Sequence, residues 1–205
     1  MKKLGIIGGM GPEATNQLVL KIIDGFKALG QKTRPDILVA FVPVNLENET
    51  RLINNNEFGD FQELLVNAAK SLENAGSDFI IIACNSVHVF VDLVRKSIKI
   101  PVFSVLEETE KFLKRKKIKR TAIIGSSFTI NNKLFEFDDI GLVKPDKKTQ
   151  KQISLILDKL AKSEKNCLLA CSETQLLNFD EFNNKVNFID TMQILADKAV
   201  NIIKE

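Results

Sequence analysis

The stretch Leu4–Thr15, LGIIGGMGPEAT, decides how the rest of the chain is read. An apolar run of strand length stops at Gly8, and a small-residue turn through Gly9, Met10 and Gly11 leads into Glu13–Leu29. There Ala14, Leu18, Ile22 and Phe26 recur at helical spacing, so the unit is strand, tight turn and amphipathic helix. Moving outward, further apolar runs predict strands at Ile37–Val42, Phe79–Ala83, Val102–Ser104, Thr121–Ile124 and Cys167–Ala170, after a first at Lys3–Ile7. Helical periodicity fills Phe58–Asn74, Ser86–Ser97, Lys151–Ala161 and Thr191–Ile203. Strands alternating with helices predict an α/β protein with mostly parallel sheets flanked by helices.

The opening unit has an echo. KLGIIGGMG (Lys3–Gly11) resembles RTAIIGSSF (Arg120–Phe128), and DFIIIACNS (Asp78–Ser86) resembles NCLLACSET (Asn166–Thr174). Each half carries a strand ending in a small-residue turn and, later, an apolar strand ending Ala-Cys. This predicts two pseudo-symmetric lobes. The first takes residues 1–103 with 190–205 and the second 104–189. The interval Gly125–Cys171 is much shorter than Gly8–Cys84, so the second lobe is trimmed.

Composition narrows the chemistry. The chain has 205 residues, 29 Lys plus Arg against 26 Asp plus Glu, one histidine, no Trp and no Tyr. Sites built on two imidazoles or on a tyrosine acid are thereby excluded. The formal charge of +3 gives little long-range attraction for nucleic acid. The one basic run, Lys111–Arg120, reads as a solvated helix end before the next strand, with Phe112, Leu113 and Ile118 turned inward. No stretch approaches the roughly 20 apolar residues of a membrane span. The Met1-Lys2-Lys3 start imitates a signal peptide, but its apolar run is broken by glycines and Pro12 and lacks a small-residue cleavage site. With three cysteines and no disulfide framework, a cytoplasmic location is expected.

Gly9, Gly11 and Ala14 satisfy the G-x-G-x-x-A pattern of dinucleotide sites. Pro12 removes a donor where pyrophosphate would bind, and the strand Ile37–Val42 runs into Pro43-Val44-Asn45 without an acid for a ribose. A close-packed turn lining a small anionic ligand fits better. The segment FIIIACNSVH delivers Cys84 to the carboxyl end of a buried strand, where α/β proteins place ligands. With Ser86 as N-cap of the next helix, Cys84 would meet a positive helix terminus that favours its thiolate. Alone, Cys84 reads equally as a small buried hydrophobe. The matched Cys171 favours chemistry, because two thiols in facing lobes can reach one ligand from opposite sides, one removing a proton and the other returning it. Backbone N–H groups after both cysteines, with nearby hydroxyls, would stabilise charge developing on a substrate carboxylate. Cys167 faces the core, and its spacing to Cys171 does not make a metal site. His88, one helical turn past Cys84, reads first as a packed, hydrogen-bonded core residue and second as a group that tunes that thiol.

Taken together and in order, GIIGGMGPEAT, IIIACNSVH, LLACSET and the late FIDTM (Phe188–Met192) resemble the cofactor-independent aspartate/glutamate racemases of the aspartate racemase type. The resemblance implies two α/β lobes with the site in the cleft, a homodimer, and Cys84 and Cys171 as paired acid and base, with no pyridoxal phosphate and no metal. It places Met10, Thr50, Asn85, Ser86, Ser126, Ser127 and Ser172 where that family holds its amino-acid or dicarboxylate substrate, with His88 and Glu173 as supporting residues. Ser86 and Ser172 stand for the family's usual threonines and keep the hydroxyl. Where the family's loop after the second strand reads Asp-Arg-Thr, this chain has Asn48-Glu49-Thr50, an acid at the position of the arginine that binds the distal carboxylate. The shortened stretch Phe128–Lys165 drops a helical piece that carries a substrate-binding lysine. Two other classes fit the same residues. One is a non-catalytic relative that binds a small carboxylate, and the other a cysteine-dependent isomerase or decarboxylase of a related acid.

Overall fold

A computed structural model of the chain describes residues 1–55, 58–144, 165–176, 179 and 185–205. Strands β1 (Leu4–Gly8), β2 (Ile37–Phe41), β3 (Phe79–Ile82) and β4 (Val102–Phe103) form one parallel sheet in the order β2-β1-β3-β4. Strands β5 (Arg120–Gly125), β6 (Gly141–Val143), β7 (Asn166–Ala170) and β8 (Asn187–Asp190) form a second in the order β6-β5-β7-β8. The two orders are the same. The echoed strands β1 and β5 hold equivalent central places, and the strands leading to Cys84 and Cys171 are their equivalent neighbours. Residues buried on both faces explain the unbroken apolar runs, for β1 and β3 are buried at every position.

Helices α1 (Pro12–Ala28), α2 (Leu46–Asn55), α3 (Phe61–Asn74), α4 (Val91–Ser97), α5 (Val105–Arg115), α6 (Ser127–Asn131) and α7 (Thr191–Ile203) flank the sheets. The stripe Ala14, Leu18, Ile22 and Phe26 of α1 is buried, each larger side chain contributing about 2 kcal/mol of apolar burial. It faces α7, and the two helices join Ile6 and Ile81 of the first sheet to Ile123 and Leu168 of the second in one core. A separate cluster lies under α3 and α4 on the other face of the first sheet, around Phe61, Leu65, Leu72 and Val94.

Several elements differ from expectation. The predicted helix Ser86–Ser97 is a 3-10 turn, Ser86–Phe90, followed by α4. The tighter winding begins where the His88 N–H donates to the Asn85 carbonyl at 3.2 Å. Helices α2 and α6 and strands β6 and β8 had no sequence signal strong enough to place them. The strands are only three and four residues long, and α6 spans five residues. Helix α5 occupies the basic run and its approach. Leu113 is fully buried and Phe112 and Ile118 pack against the core, while Arg115 lies 5.7 Å from the Phe112 ring centroid. The helix expected at Lys151–Ala161 lies outside the described residues. Among those described, no helix is long and apolar enough to cross a membrane.

Candidate functional site

Three turns at the carboxyl ends of β1, β3 and β7 meet here. The first is the glycine turn. Gly9 and Gly11 both have positive φ, 95° and 86°, a region open to glycine at little cost. A Cβ on Gly9 would sit 2.8 Å from the Val42 backbone nitrogen and oxygen. Thr15, one turn into α1, fastens the loop from inside: its Oγ1 accepts from the Gly9 N–H at 3.2 Å and donates to the Gly11 carbonyl at 3.1 Å. Met10 is buried within the apolar cluster that also holds Phe90 and Phe128, and Cys84 packs at the edge of the same cluster.

The second turn carries Cys84, whose side chain is half-buried. Its carbonyl accepts from His88 Nδ1 at 2.7 Å, while His88 Nε2 lies 3.1 Å from the Val105 N–H at the start of α5. Because Nε2 accepts, the proton must be on Nδ1, and the imidazole is neutral. Burial pushes its pKa down to about 4, overriding the raising effect of the Cys84 carbonyl. The expected packed histidine is what the structure contains. It grips the backbone of the Cys84 turn and spends both ring nitrogens on main-chain groups.

Asn85 is 1% exposed. In the amide orientation that satisfies both ends, its oxygen accepts from the Cys171 and Ser172 N–H groups, each at 3.2 Å, and its nitrogen donates to Thr191 Oγ1 at 3.3 Å. Thr191 in turn donates to the Leu169 carbonyl at 2.8 Å. The N–H groups of Cys171 and Ser172 are therefore already engaged, so the first amide after Cys171 faces Asn85, where the expectation had it facing a substrate. Ser86 is not an N-cap: Asn85 precedes the 3-10 turn and makes no side-chain cap bond. Instead Ser86 Oγ reaches across to Ser126 Oγ at 3.1 Å and Thr129 Oγ1 at 3.2 Å. Ser126 caps α6 by accepting from the Thr129 N–H at 3.1 Å. Three hydroxyls, one from the first half and two from the second, thus form a cluster.

The third turn carries Cys171, also half-buried, with Ser172 buried beside it. The Cys171 carbonyl accepts from the Thr174 N–H at 3.1 Å and the Thr174 hydroxyl at 2.5 Å. Burial raises the pKa of the Cys171 thiol, and the Glu173 charge adds to that, although the N–H groups of Glu173 and Thr174 act the other way. Glu173 is exposed and leans over the glycine turn, where a Cβ on Gly11 would lie 3.5 Å from its Oε1. Cys167, by contrast, is fully buried, and burial pushes its thiol up to about 12.

The remaining candidates lie differently. Thr50 is exposed on α2, and its hydroxyl donates to the Leu46 carbonyl at 2.8 Å. Arg51, two positions on from Glu49, is paired with Glu47 at 2.7 Å on the helix surface. Ser127 is exposed at the first position of α6. The fold also recruits residues the sequence reading passed over. Thr15, Thr129, Thr174 and Thr191 all hold the turns. Only Thr129 had a local signal, standing three residues after a capping serine.

Two parallel lobes of one topology, each presenting a thiol just past the equivalent strand, define a class of two-lobed α/β proteins with duplicated cysteine turns. The chain belongs to the Asp/Glu/Hydantoin racemase family, whose model matches residues 7–138. It is similar to RacX of Bacillus subtilis (strain 168), a broad specificity amino-acid racemase, with 26% identity over 137 residues. That alignment covers 65% of this chain and 58% of RacX. Among solved structures, an aspartate racemase homologue from Pyrococcus horikoshii OT3 superposes with a TM-score of 0.80 at 22% identity, covering 100% of both chains. An aspartate racemase from Picrophilus torridus gives 0.82 at 21% identity, covering 100% of this chain and 95% of its own. At these identities the structural likeness speaks for the fold.

Proposed function

We propose that this protein is an amino-acid racemase that needs neither pyridoxal phosphate nor metal, with Cys84 and Cys171 as its paired acid and base. The observation that carries the reading is the contact between the two cysteine turns, in which the residue after Cys84 bonds the backbone of Cys171 and Ser172 at 3.2 Å. One thiolate takes the α-proton. The C–H electron pair passes into the substrate carboxylate, and the opposite thiol delivers its proton to the other face of the carbon. The two sulfurs end with their protonation states exchanged. The raised pKa of Cys171 suits it to begin as the proton donor. The half-buried hydroxyls of Ser86 and Ser126 take the carboxylate, exchanging their mutual bond for bonds to developing charge, with buried Thr129 behind them.

The substrate side chain in this reading is uncharged. Thr50 and Arg51 are both engaged on the surface of α2, and the cluster bordering Cys84 is apolar. Phe58 bridges that cluster, in edge contact with Phe90 at 5.1 Å and with Phe128 at 6.3 Å between centroids. Incubation with a panel of L-amino acids in deuterated water, followed by mass spectrometry and chiral chromatography, tests the assignment. The expected result is α-deuteration and racemisation of at least one uncharged amino acid, with racemisation lost in Cys84→Ala and in Cys171→Ala. Binding without exchange would instead make the protein a carboxylate-binding relative. Full racemisation by Cys171→Ala would remove the two-thiol mechanism.

A further inference from the structure

We propose that the first half carries a second binding site, for a small phosphoryl anion of the size and charge of pyrophosphate, at the far end of α1 from the cysteines. The site does not depend on the racemase reading.

It begins where α1 ends. The Leu29 and Gly30 N–H groups turn back to the Phe26 and Lys27 carbonyls, at 3.2 and 3.0 Å, and close the helix. The chain then runs through Gln31–Pro35 to the start of β2. Between this loop and the last turns of α1 lies a cavity of about 220 Å3, walled by Ile23, Phe26 and Pro35 and carrying Lys27, Lys32 and Arg34. Lys27 has a structural reason for its place, because the carbonyl end of a helix favours a cation. Lys32 and Arg34 lie beyond the helix and have none. Thr33 stands between them, and its hydroxyl meets the Met1 sulfur at 4.0 Å, a weak acceptor that an anion would readily replace.

The charges in this cavity are of one sign. No lining residue is acidic. Among the described residues Lys27, Lys32 and Arg34 make no ion pair, whereas Lys3 and Lys21 are held by Asp36 at 3.5 Å and Asp190 at 3.0 Å. Asp36, the acid that follows the loop, is therefore already engaged, and Asp24 on α1 is exposed and outside the lining. A second cavity shows the neutralised alternative. Between α5 and α7, about 210 Å3 is lined by Lys111, Arg115 and Lys198 together with Glu108 and Asp197, and Glu108 holds Lys111 at 2.7 Å. The two cavities are alike in size and in cations, and differ in the acids.

Three unpaired cations around a partly apolar concavity focus a field that water would screen on a flat surface. The planar fork of Arg34 suits two oxygens of one phosphate, and the two ammonium groups suit those of a second. The volume is below the roughly 300–1,000 Å3 of sites that enclose a drug-sized ligand, so the anionic group enters and any remainder stays outside. Helix α1 has 17 residues and is about 25 Å long, with the glycine turn at its other end. An occupant of this cavity would leave the cysteine turns uncovered.

Isothermal titration calorimetry of the full chain with sodium pyrophosphate, at low salt and pH 7.5, tests the site. One ion per chain should bind with a Kd below about 1 mM. Arg34→Gln should weaken binding about tenfold or more and Lys32→Gln about threefold, while Arg115→Gln in the neutralised cavity stays within about twofold. Both altered side chains are exposed, so the variants should keep the parental urea midpoint. Saturating pyrophosphate should leave iodoacetamide labelling of Cys84 and Cys171 unchanged. ADP, titrated in the same way, separates two sources of the anion. Tighter binding than pyrophosphate that is lost in Arg34→Gln marks a nucleotide, and weaker binding marks the free anion. No binding of pyrophosphate, equal weakening by Arg115→Gln, or protection of either thiol would overturn the site. None of these readouts requires turnover, so a failed racemisation assay strikes the racemase reading alone.

Discussion

The two cysteine turns are built to one plan and fastened by different bonds. Each follows a buried strand, each begins a five-residue 3-10 turn, and in each the cysteine carbonyl is held by a residue further along that turn. At Cys171 the holder is local, the N–H and hydroxyl of Thr174. At Cys84 it is His88, whose far nitrogen is tied to the start of α5. The Cys84 turn is therefore anchored through an imidazole to the start of α5, just past the boundary between the halves. The Cys171 turn has its carbonyl closed on itself and its amides held by Asn85 of the other half. Duplication can keep the strand order and the reactive atom while the supporting bonds diverge, since any buried donor needs a partner but not a particular one.

The comparison can be broken most forcefully at the sulfurs. Cys84→Ala and Cys171→Ala should each lower racemisation by about a thousandfold or more if the two thiols are equal partners. Each variant should retain α-proton exchange of one enantiomer only, and of opposite enantiomers. Chiral analysis of deuterium incorporation measures this, and loss confined to one variant would make the turns chemically unequal.

The histidine anchor offers a difference in stability. His88 has a folded pKa near 4, below its unfolded value of 6.5, so the folded state binds fewer protons between these values. Its contribution is complete above pH 6.5 and is lost as pH falls toward 4, by about 3 kcal/mol in all. Urea midpoints at pH 7.5 and pH 4 should show that loss in the parent. His88→Gln should have a shallower dependence by that amount, and identical slopes would mean that the imidazole is not the buried neutral group described.

A smaller effect sharpens the contact between the halves. Ser126→Ala removes both an N-cap and a member of the hydroxyl cluster, and should cost about 1 kcal/mol in denaturant unfolding. It should also raise KM more than it lowers kcat, because a carboxylate seat is lost with the thiols in place. A variant with parental stability and KM would leave the cluster without either role.

Much of the fold was legible because buried strands and a helix stripe announce themselves in one dimension. LGIIG, FIII and the Ala14–Phe26 series behave as read, and the echo between Lys3–Gly11 and Arg120–Phe128 became two sheets of one order. Elements such as β6, three residues long, and β8, four, carry too few side chains to show a period. Helix α2 was hidden by a polar sequence, LENETRLINN. In the site, the cysteines stood out because a rare residue recurred in the same local pattern, while the threonines that hold the turns are common residues in ordinary surroundings.

From the chain alone come the strand–turn–helix units, their duplication, and a thiol at each repeat. These follow from burial and backbone geometry, which act over a few neighbouring residues. Where Asn85, Ser86 and His88 spend their polar atoms came only from the folded molecule. Hydrogen-bond partners such as Cys171, Ser126 and Val105 are distant in sequence, and a buried amide or imidazole takes whichever donor or acceptor the packing brings within about 3 Å. The reactive groups are local features of the sequence, and their alignment is a property of the assembled lobes.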